Sequence, residues 1–281
     1  MKFYRIVFML LIMFYSTSIL ATTDVSVIPF EIKNGLPIVH INLQGQDFPL
    51  MLDLGSTDIY LQLSPDVRKR LHIDKLTGKT KSQYFNSCGI SQHYDTYMLR
   101  EVTMGQFKMN HVTAYEYKLM PGCSDFADNN PSSIFIGIVG LNLLKEFNFI
   151  VDYHHKKLVL YRHSIPLPYS ALPWKWTNMR SDIRHGIMTD AVIANKKLTL
   201  LWDTGSTIST LKESACNKAD KCKRHKNKMI GNVTLVPYNI GSAYFHILSN
   251  DSIPFDGSIG GSFFADHVVN VDVKRHRVGW S

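Results

Sequence analysis

Two copies of one six-residue pattern constrain this chain more than any other feature: Leu52-Asp53-Leu54-Gly55-Ser56-Thr57 and Trp202-Asp203-Thr204-Gly205-Ser206-Thr207. Each ends an apolar run on an aspartate and follows it with a Gly-Ser-Thr turn. The aspartates stand 150 residues apart in a chain of 281. A single carboxylate at such a turn serves as a helix cap or a turn former. Two in matching context predict a duplicated lobe that brings two carboxylates together. A close pair cannot easily hold two charges, so one proton is shared and the pair can act as acid and base at once.

The segments around the motifs repeat as well. Pro37 to Leu43 alternates in polarity, Gly45-Gln46 turns, and Phe48 to Leu52 runs into Asp53. In the second half Gly186 to Ile193 forms a strand, Asn195-Lys196 turns, and Leu198 to Trp202 leads into Asp203. A hairpin delivering an aspartate at its end is therefore predicted twice. Further on, Ile134 to Gly140 precedes Leu141 to Phe147 and then Phe149 to Tyr153; later Ser258 to Gly261 precedes Ser262 to Phe264 and then Val268 to Val273. Both stretches predict an apolar strand, a glycine that admits another backbone segment closely, a short helix and a closing strand. Between the halves, Ile165 to Pro173 holds three prolines and can propagate neither helix nor central strand, which makes it the linker.

At 45% hydrophobic and 19% charged the chain has ordinary globular composition, enough for one large or two moderate cores. The first 21 residues stand apart. Lys2 and Arg5 precede the apolar run Ile6 to Tyr15, and small residues lead to Ala21. This is the layout of an export signal cleaved after Ala21. The alternative is a retained anchor, against which the apolar core of about ten residues falls short of the roughly 20 that a spanning helix needs. The expected organisation is a signal at 1–21, a first lobe at 24–164, a linker at 165–174 and a second lobe at 175–281. The mature protein is expected outside the cytosol, secreted or periplasmic, with no membrane association.

Four cysteines divide two per half, which favours bridges Cys88–Cys123 and Cys216–Cys222 in an exported chain; four free thiols are the alternative. Their spacings do not suit zinc. His154 and His155, adjacent in an expected strand, point to opposite faces and argue against shared ligation. No metal and no cofactor are expected. The formal charge of +8 is concentrated in Lys218, Lys221, Lys223, Arg224, Lys226 and Lys228, which lack interleaved aromatics and are expected to form a solvated surface loop rather than a nucleic-acid site. No Gly-x-Ser-x-Gly elbow is present, and the motif serines have no evident histidine partner, so serine hydrolysis is not supported.

With both motifs placed, the sequence resembles the aspartic proteases of the pepsin and retropepsin clan, over most of the mature chain and in both halves. Pepsins join two lobes in one chain, and this chain is similar to that arrangement built from small lobes. The Gly137-Ile138-Val139-Gly140-Leu141 stretch resembles the retropepsin-like domains of exported bacterial proteins. The resemblance implies an all-β, bilobal fold of double-psi barrels with pseudo-twofold symmetry. It makes Asp53 and Asp203 the catalytic pair, with Gly55 and Gly205 permitting tight turns. Ser56 and Ser206 would donate hydroxyl hydrogen bonds to the outer carboxylate oxygens, lowering the first pKa of the pair and setting an acidic pH optimum. Thr204 matches the threonine that braces the two loops across the lobe interface, whereas its counterpart Leu54 has no hydroxyl, so half of that bracing is missing.

The family also closes its cleft with a hairpin flap. The best candidate spans Gln83 to Tyr97 with its turn near Asn86 to Gly89 and Tyr84 or Phe85 as the substrate-facing aromatic; the alternative is that these are ordinary strand aromatics packed on the lobe. Cys88 would tether its tip to Cys123. No equally clear flap is expected in the second half. The function so implied is peptide-bond hydrolysis by a two-aspartate, water-activating mechanism on an extended protein or peptide substrate, carried out by a monomer. Two alternatives stay open: a cleft that binds peptides with weak or no cleavage, and the same chemistry turned on another amide such as a cell-wall cross-link peptide.

Overall fold

A computed structural model of the chain describes residues 24–61, 63–73, 75–83, 92–116, 135–180, 186–193, 195–217, 223–225, 228–248 and 253–281. β1 (Val25–Lys33) turns through Asn34-Gly35 into β2 (Leu36–Leu43). Lys33 pairs directly with Leu36, and both turn residues have positive φ, +52° and +80°. That two-residue geometry matches the twist of the flanking strands, and Asn-Gly adopts it with the least strain. Gln44-Gly45 repeats the device into β3 (Gln46–Leu52), which ends at Asp53.

The first half continues with β4 (Ile59–Leu61), α1 (Pro65–Leu71), β5 (Lys75–Gln83), β6 (Gln92–Met104), β7 (Phe107–Glu116), β8 (Gly137–Val139), α2 (Leu141–Leu144), β9 (Asn148–Asp152) and β10 (Lys157–Tyr161). Helix α1 starts where Ser64 accepts from the Val67 amide ahead of Pro65, and it ends at His72 in the left-handed region. The second half comprises β11 (Lys175–Asn178), β12 (Met188–Ile193), β13 (Lys196–Trp202), β14 (Thr210–Lys212), α3 (Glu213–Asn217), β15 (Lys223–His225), β16 (Lys228–Leu235), β17 (Tyr238–Leu248), β18 (Gly257–Ile259), α4 (Gly261–Asp266), β19 (Val269–Asp272) and β20 (Arg277–Trp280).

The two halves have the same topology. Strand order in the first is β2-β3-β8-β4-β7-β6-β5, with β2 also paired to β6; in the second it is β12-β13-β18-β14-β17-β16-β15, with β12 also paired to β16. Parallel pairs fall at matching places: β3 with β8 and β4 with β7, then β13 with β18 and β14 with β17. The chain is thus all-β and two-lobed, as the duplicated motif predicts. Residues 165–174 hold no strand, only a 3-10 turn at Tyr169–Ala171.

One feature was not expected from the sequence. β11, β20, β19, β9, β10 and the first part of β1 form a shared sheet in which Val269, Asn270 and Val271 pair with Val151, Ile150 and Phe149. The two halves therefore complete one another's hydrogen bonding. A single apolar cluster also runs through both, from Leu52, Leu54 and Val139 to Trp202, Ile259 and Phe264.

Candidate active site

Each aspartate leaves a strand wedged beside a parallel neighbour. The Asp53 amide donates to the Val139 carbonyl (3.0 Å) and the Asp203 amide to the Ile259 carbonyl (2.9 Å). The helices behind secure the turns from below: the Leu141 amide donates to Ser56 O (2.9 Å) and the Gly261 amide to Ser206 O (2.7 Å). The glycines of the predicted strand–glycine–helix repeat make this possible. A Cβ on Gly140 would lie 2.5 Å from Ser56 O, and one on Gly260 would lie 2.0 Å from Ile208 O.

The two turns meet. The Gly55 amide donates to Asp53 Oδ1 (2.8 Å) and the Gly205 amide to Asp203 Oδ1 (2.9 Å). A Cβ on Gly55 would stand 2.6 Å from Asp203 Oδ1, and one on Gly205 would stand 2.5 Å from the Asp53 Cγ. Each glycine thus makes room for the opposing carboxylate, and the carboxylates hydrogen-bond to one another. The sequence placed both aspartates in one site, and the geometry brings them together there.

Burial raises the pKa of both carboxyls above the ordinary carboxylate value. For Asp53 the hydrogen bond from Asp203 and the amides of Gly55, Ser56 and Gly205 oppose that rise. For Asp203, burial is reinforced by the charge of Asp53 and by the bond between them, and its pKa lies well above the usual range. Two carboxyls so opposed cannot easily both ionise, so one proton stays on the pair. The raised values depart from the expected lowering of the first pKa. The Ser206 hydroxyl does not supply the expected bond: Ser206 Oγ donates to Ile208 O (2.8 Å), and it is the Ser206 amide that reaches Asp203 Oδ1 (3.2 Å). At Ser56 likewise it is the amide that acts on Asp53. Tight turns aim successive backbone N–H groups inward, and at Ser206 this leaves the hydroxyl to the Ile208 carbonyl.

Thr204 spans the lobe interface as expected. Its fully buried Oγ1 accepts from the Leu54 amide (3.0 Å) and donates to Leu52 O (2.7 Å), gripping the first loop on both sides of Asp53. Leu54 is fully buried in the apolar cluster and returns no such bond.

The legs of the predicted flap are present, with Lys81, Ser82 and Gln83 paired to Tyr94, His93 and Gln92. Its tip, with Tyr84, Phe85 and Cys88, lies outside the described residues. So do Cys123, Cys222 and the side chain of Cys216, and no disulfide is found among the described residues. Part of the basic run departs from the expected loop: Lys223 to His225 form edge strand β15, and Lys228 begins β16. His154 and His155 lie in the turn after β9 rather than in a strand, with rings 4.9 Å apart instead of on opposite faces; His155 Nδ1 is bound to Asp152 (2.8 Å). Among the described residues no group of histidine, cysteine, aspartate and glutamate could hold a metal, and no helix is long and apolar enough to cross a membrane. A groove of about 470 Å³ lined by Val27, His40 and Asp47 lies on the first lobe and shares no residue with the dyad.

Sequence reasoning missed the aromatic cluster beside the first aspartate. Tyr60 packs on Tyr94 (5.5 Å between centroids) and Tyr115 (5.8 Å), over buried Met51 and Ile138. These residues are far apart in sequence, and only the alternation of Tyr60 between Ile59 and Leu61 hinted that its ring faces away from the main core.

Residues 39–143 match the sequence pattern of a family described as aspartyl protease. No curated protein sequence matches the chain. Among solved structures, the crystal structure of an aspartic proteinase from Irpex lacteus superposes with a TM-score of 0.61 at 13% identity, covering 92% of this chain and 97% of that one. At that identity the likeness is one of fold.

Proposed function

Starting from a chain whose first lobe matches the aspartyl proteases and whose fold is that of an aspartic proteinase, we propose that it is an endopeptidase using Asp53 and Asp203. The observation that carries this reading is the reciprocal meeting of the two turns, in which each glycine makes room for the opposing carboxylate. In the proposed reaction the ionised member of the pair takes a proton from a water as the water oxygen bonds to the scissile carbonyl carbon. The protonated member gives its proton to the carbonyl oxygen. Collapse of the tetrahedral species breaks the C–N bond while the pair returns a proton to the leaving amine. The expected substrate is an extended peptide, and no metal or cofactor takes part.

Asp53→Asn or Asp203→Asn alone is expected to lower turnover by at least about 10²-fold, the low end of general acid–base contributions. Activity should fall in acid as a second proton binds and in alkali as the shared proton leaves. Because burial raises both carboxyls, the bell should sit higher than for a pair of ordinary carboxyls. Near-normal hydrolysis by either variant would end this assignment. A peptide-binding cleft without chemistry would instead bind a statine peptide and show no turnover to lose. The leader-like pattern of the first 21 residues and the even number of cysteines are the grounds for placing the enzyme outside the cytosol. A mature N-terminus at Thr22 is the expected result of sequencing the processed protein.

A further inference from the structure

The two aspartate turns are held alike by their own lobes. Asp53 and Asp203 each donate to a parallel neighbour, Gly55 and Gly205 each donate to the carboxyl two residues back, and an amide from the helix behind donates to Ser56 O and to Ser206 O. They differ in what the opposite lobe supplies. The Leu54 amide, just after Asp53, donates to Thr204 Oγ1 (3.0 Å), and the same hydroxyl donates to the Leu52 carbonyl just before it (2.7 Å). The pseudo-twofold relation puts Leu54 where a hydroxyl would return both bonds, and its side chain is aliphatic and packed in the apolar cluster. The Thr204 amide is left without a hydrogen-bond partner among the described residues, and no side chain there donates to the Trp202 carbonyl. Both residues are fully buried.

A buried amide without a partner forfeits the hydrogen bond it had with water in the unfolded chain, and such amides are rare in folded proteins. Local opening that lets water reach the amide recovers that bond. Opening is therefore easier at the second turn than at the first, where two bonds to Thr204 must break before any is gained. Thr204 fixes one point of the second turn through its own side chain. That side chain turns about a single bond, and it does not hold the backbone on both sides of Asp203. Gly35 of the first lobe also meets this turn, where an added Cβ would lie 3.0 Å from Thr207 Cγ2, but that contact is packing and satisfies no amide.

We propose that Leu54 makes the pair mechanically unequal: Asp53 is carried on main chain clamped from the opposite lobe, whereas Asp203 is carried on main chain that yields first, so that Leu54 is a positioning residue for Asp203 and the looseness it leaves there limits turnover. The part that concerns turnover rests on the endopeptidase reading, and the part that concerns the two turns does not.

Amide hydrogen exchange of the full-length wild-type protein, read residue by residue by NMR, compares the two turns directly. The Thr204 amide is expected to exchange at least roughly tenfold faster than the Leu54 amide, as a missing buried hydrogen bond requires. Leu54→Thr and Leu54→Val then give side chains of the same shape that differ in one hydroxyl, so the packing loss is common to both. In an ordinary apolar site Leu54→Thr would be the less stable, because its hydroxyl is buried unpaired. Here Leu54→Thr is expected to melt above Leu54→Val, to slow exchange at Thr204, and to show the higher kcat at a similar KM. A Thr204 amide that exchanges no faster than that of Leu54, or Leu54→Thr melting below Leu54→Val, would overturn the unequal clamp. Equal kcat in the two variants, with exchange and melting as expected, would overturn the link between the clamp and turnover. Absence of any cleavage that depends on Asp53 would overturn the endopeptidase reading and leave exchange and melting to decide the clamp by themselves.

Discussion

Thr204 is the side chain through which one lobe holds the other's aspartate loop. Its hydroxyl satisfies one donor and one acceptor flanking Asp53, both in a region closed to water. Thr204→Val keeps the shape and removes the hydroxyl, leaving the Leu54 amide and Leu52 carbonyl unpaired at roughly 1–3 kcal/mol each. The expected outcome is a clear fall in melting temperature together with lower kcat, and a much smaller effect for Thr204→Ser. A Thr204→Val protein as stable and active as wild type would show that the loops are held by their backbone bonds alone. The motif made Thr204 legible in the sequence, since its place after Asp203 is part of the pattern. The destination of the Ser206 hydroxyl was not legible, because it depends on where the Ile208 carbonyl comes to rest.

At the scale of elements, the hairpins entering each aspartate were readable because alternation and turn residues are local signals. The turn after β9 shows what was not. Asp152 is fully buried and accepts from the His155 amide (2.9 Å), the His155 ring (2.8 Å) and Tyr169 Oη (2.9 Å), so it ties the shared sheet to the linker turn. Burial pushes its carboxyl up, but these bonds outweigh burial and hold it below the ordinary value of 3.8. A carboxyl lowered in the folded state adds stability above its unfolded pKa and loses it as pH falls through its folded pKa. Asp152→Asn is therefore expected to lower the melting temperature at pH 7, with the deficit shrinking as pH drops below 3.8. The His155 ring is largely exposed and contributes little through its charge, so His155→Gln should reproduce only a small part of the deficit. A deficit constant with pH would mean that shape rather than charge is what the site requires. In the second half, Asp272 plays the equivalent structural part, accepting from the Arg275 amide and the Arg277 guanidinium.

At the scale of the molecule, the shared sheet makes the halves interdependent. Residues 24–164 expressed alone would expose the edge of β9, where Phe149, Ile150 and Val151 are fully buried in the whole chain. Such an edge invites pairing with another copy. The fragment is expected to sediment as a dimer or aggregate, whereas the full chain, with both aspartates on one polypeptide, should keep its specific activity on dilution. A stable monomeric fragment would show that the lobes fold independently. The sequence by itself determined the duplicated lobe, the hairpins that end on aspartate, the glycines beneath them and the identity of the pair, because each is a short-range pattern repeated at a fixed place. The tertiary structure alone decided that the lobes share a sheet, that backbone amides of the turns reach the carboxylates while the Ser206 hydroxyl turns to a carbonyl, and that Tyr60 gathers Tyr94 and Tyr115 around it. Those outcomes depend on which distant strands become neighbours, and hydrogen bonds and side-chain contacts across a sheet leave no periodic signal along the chain.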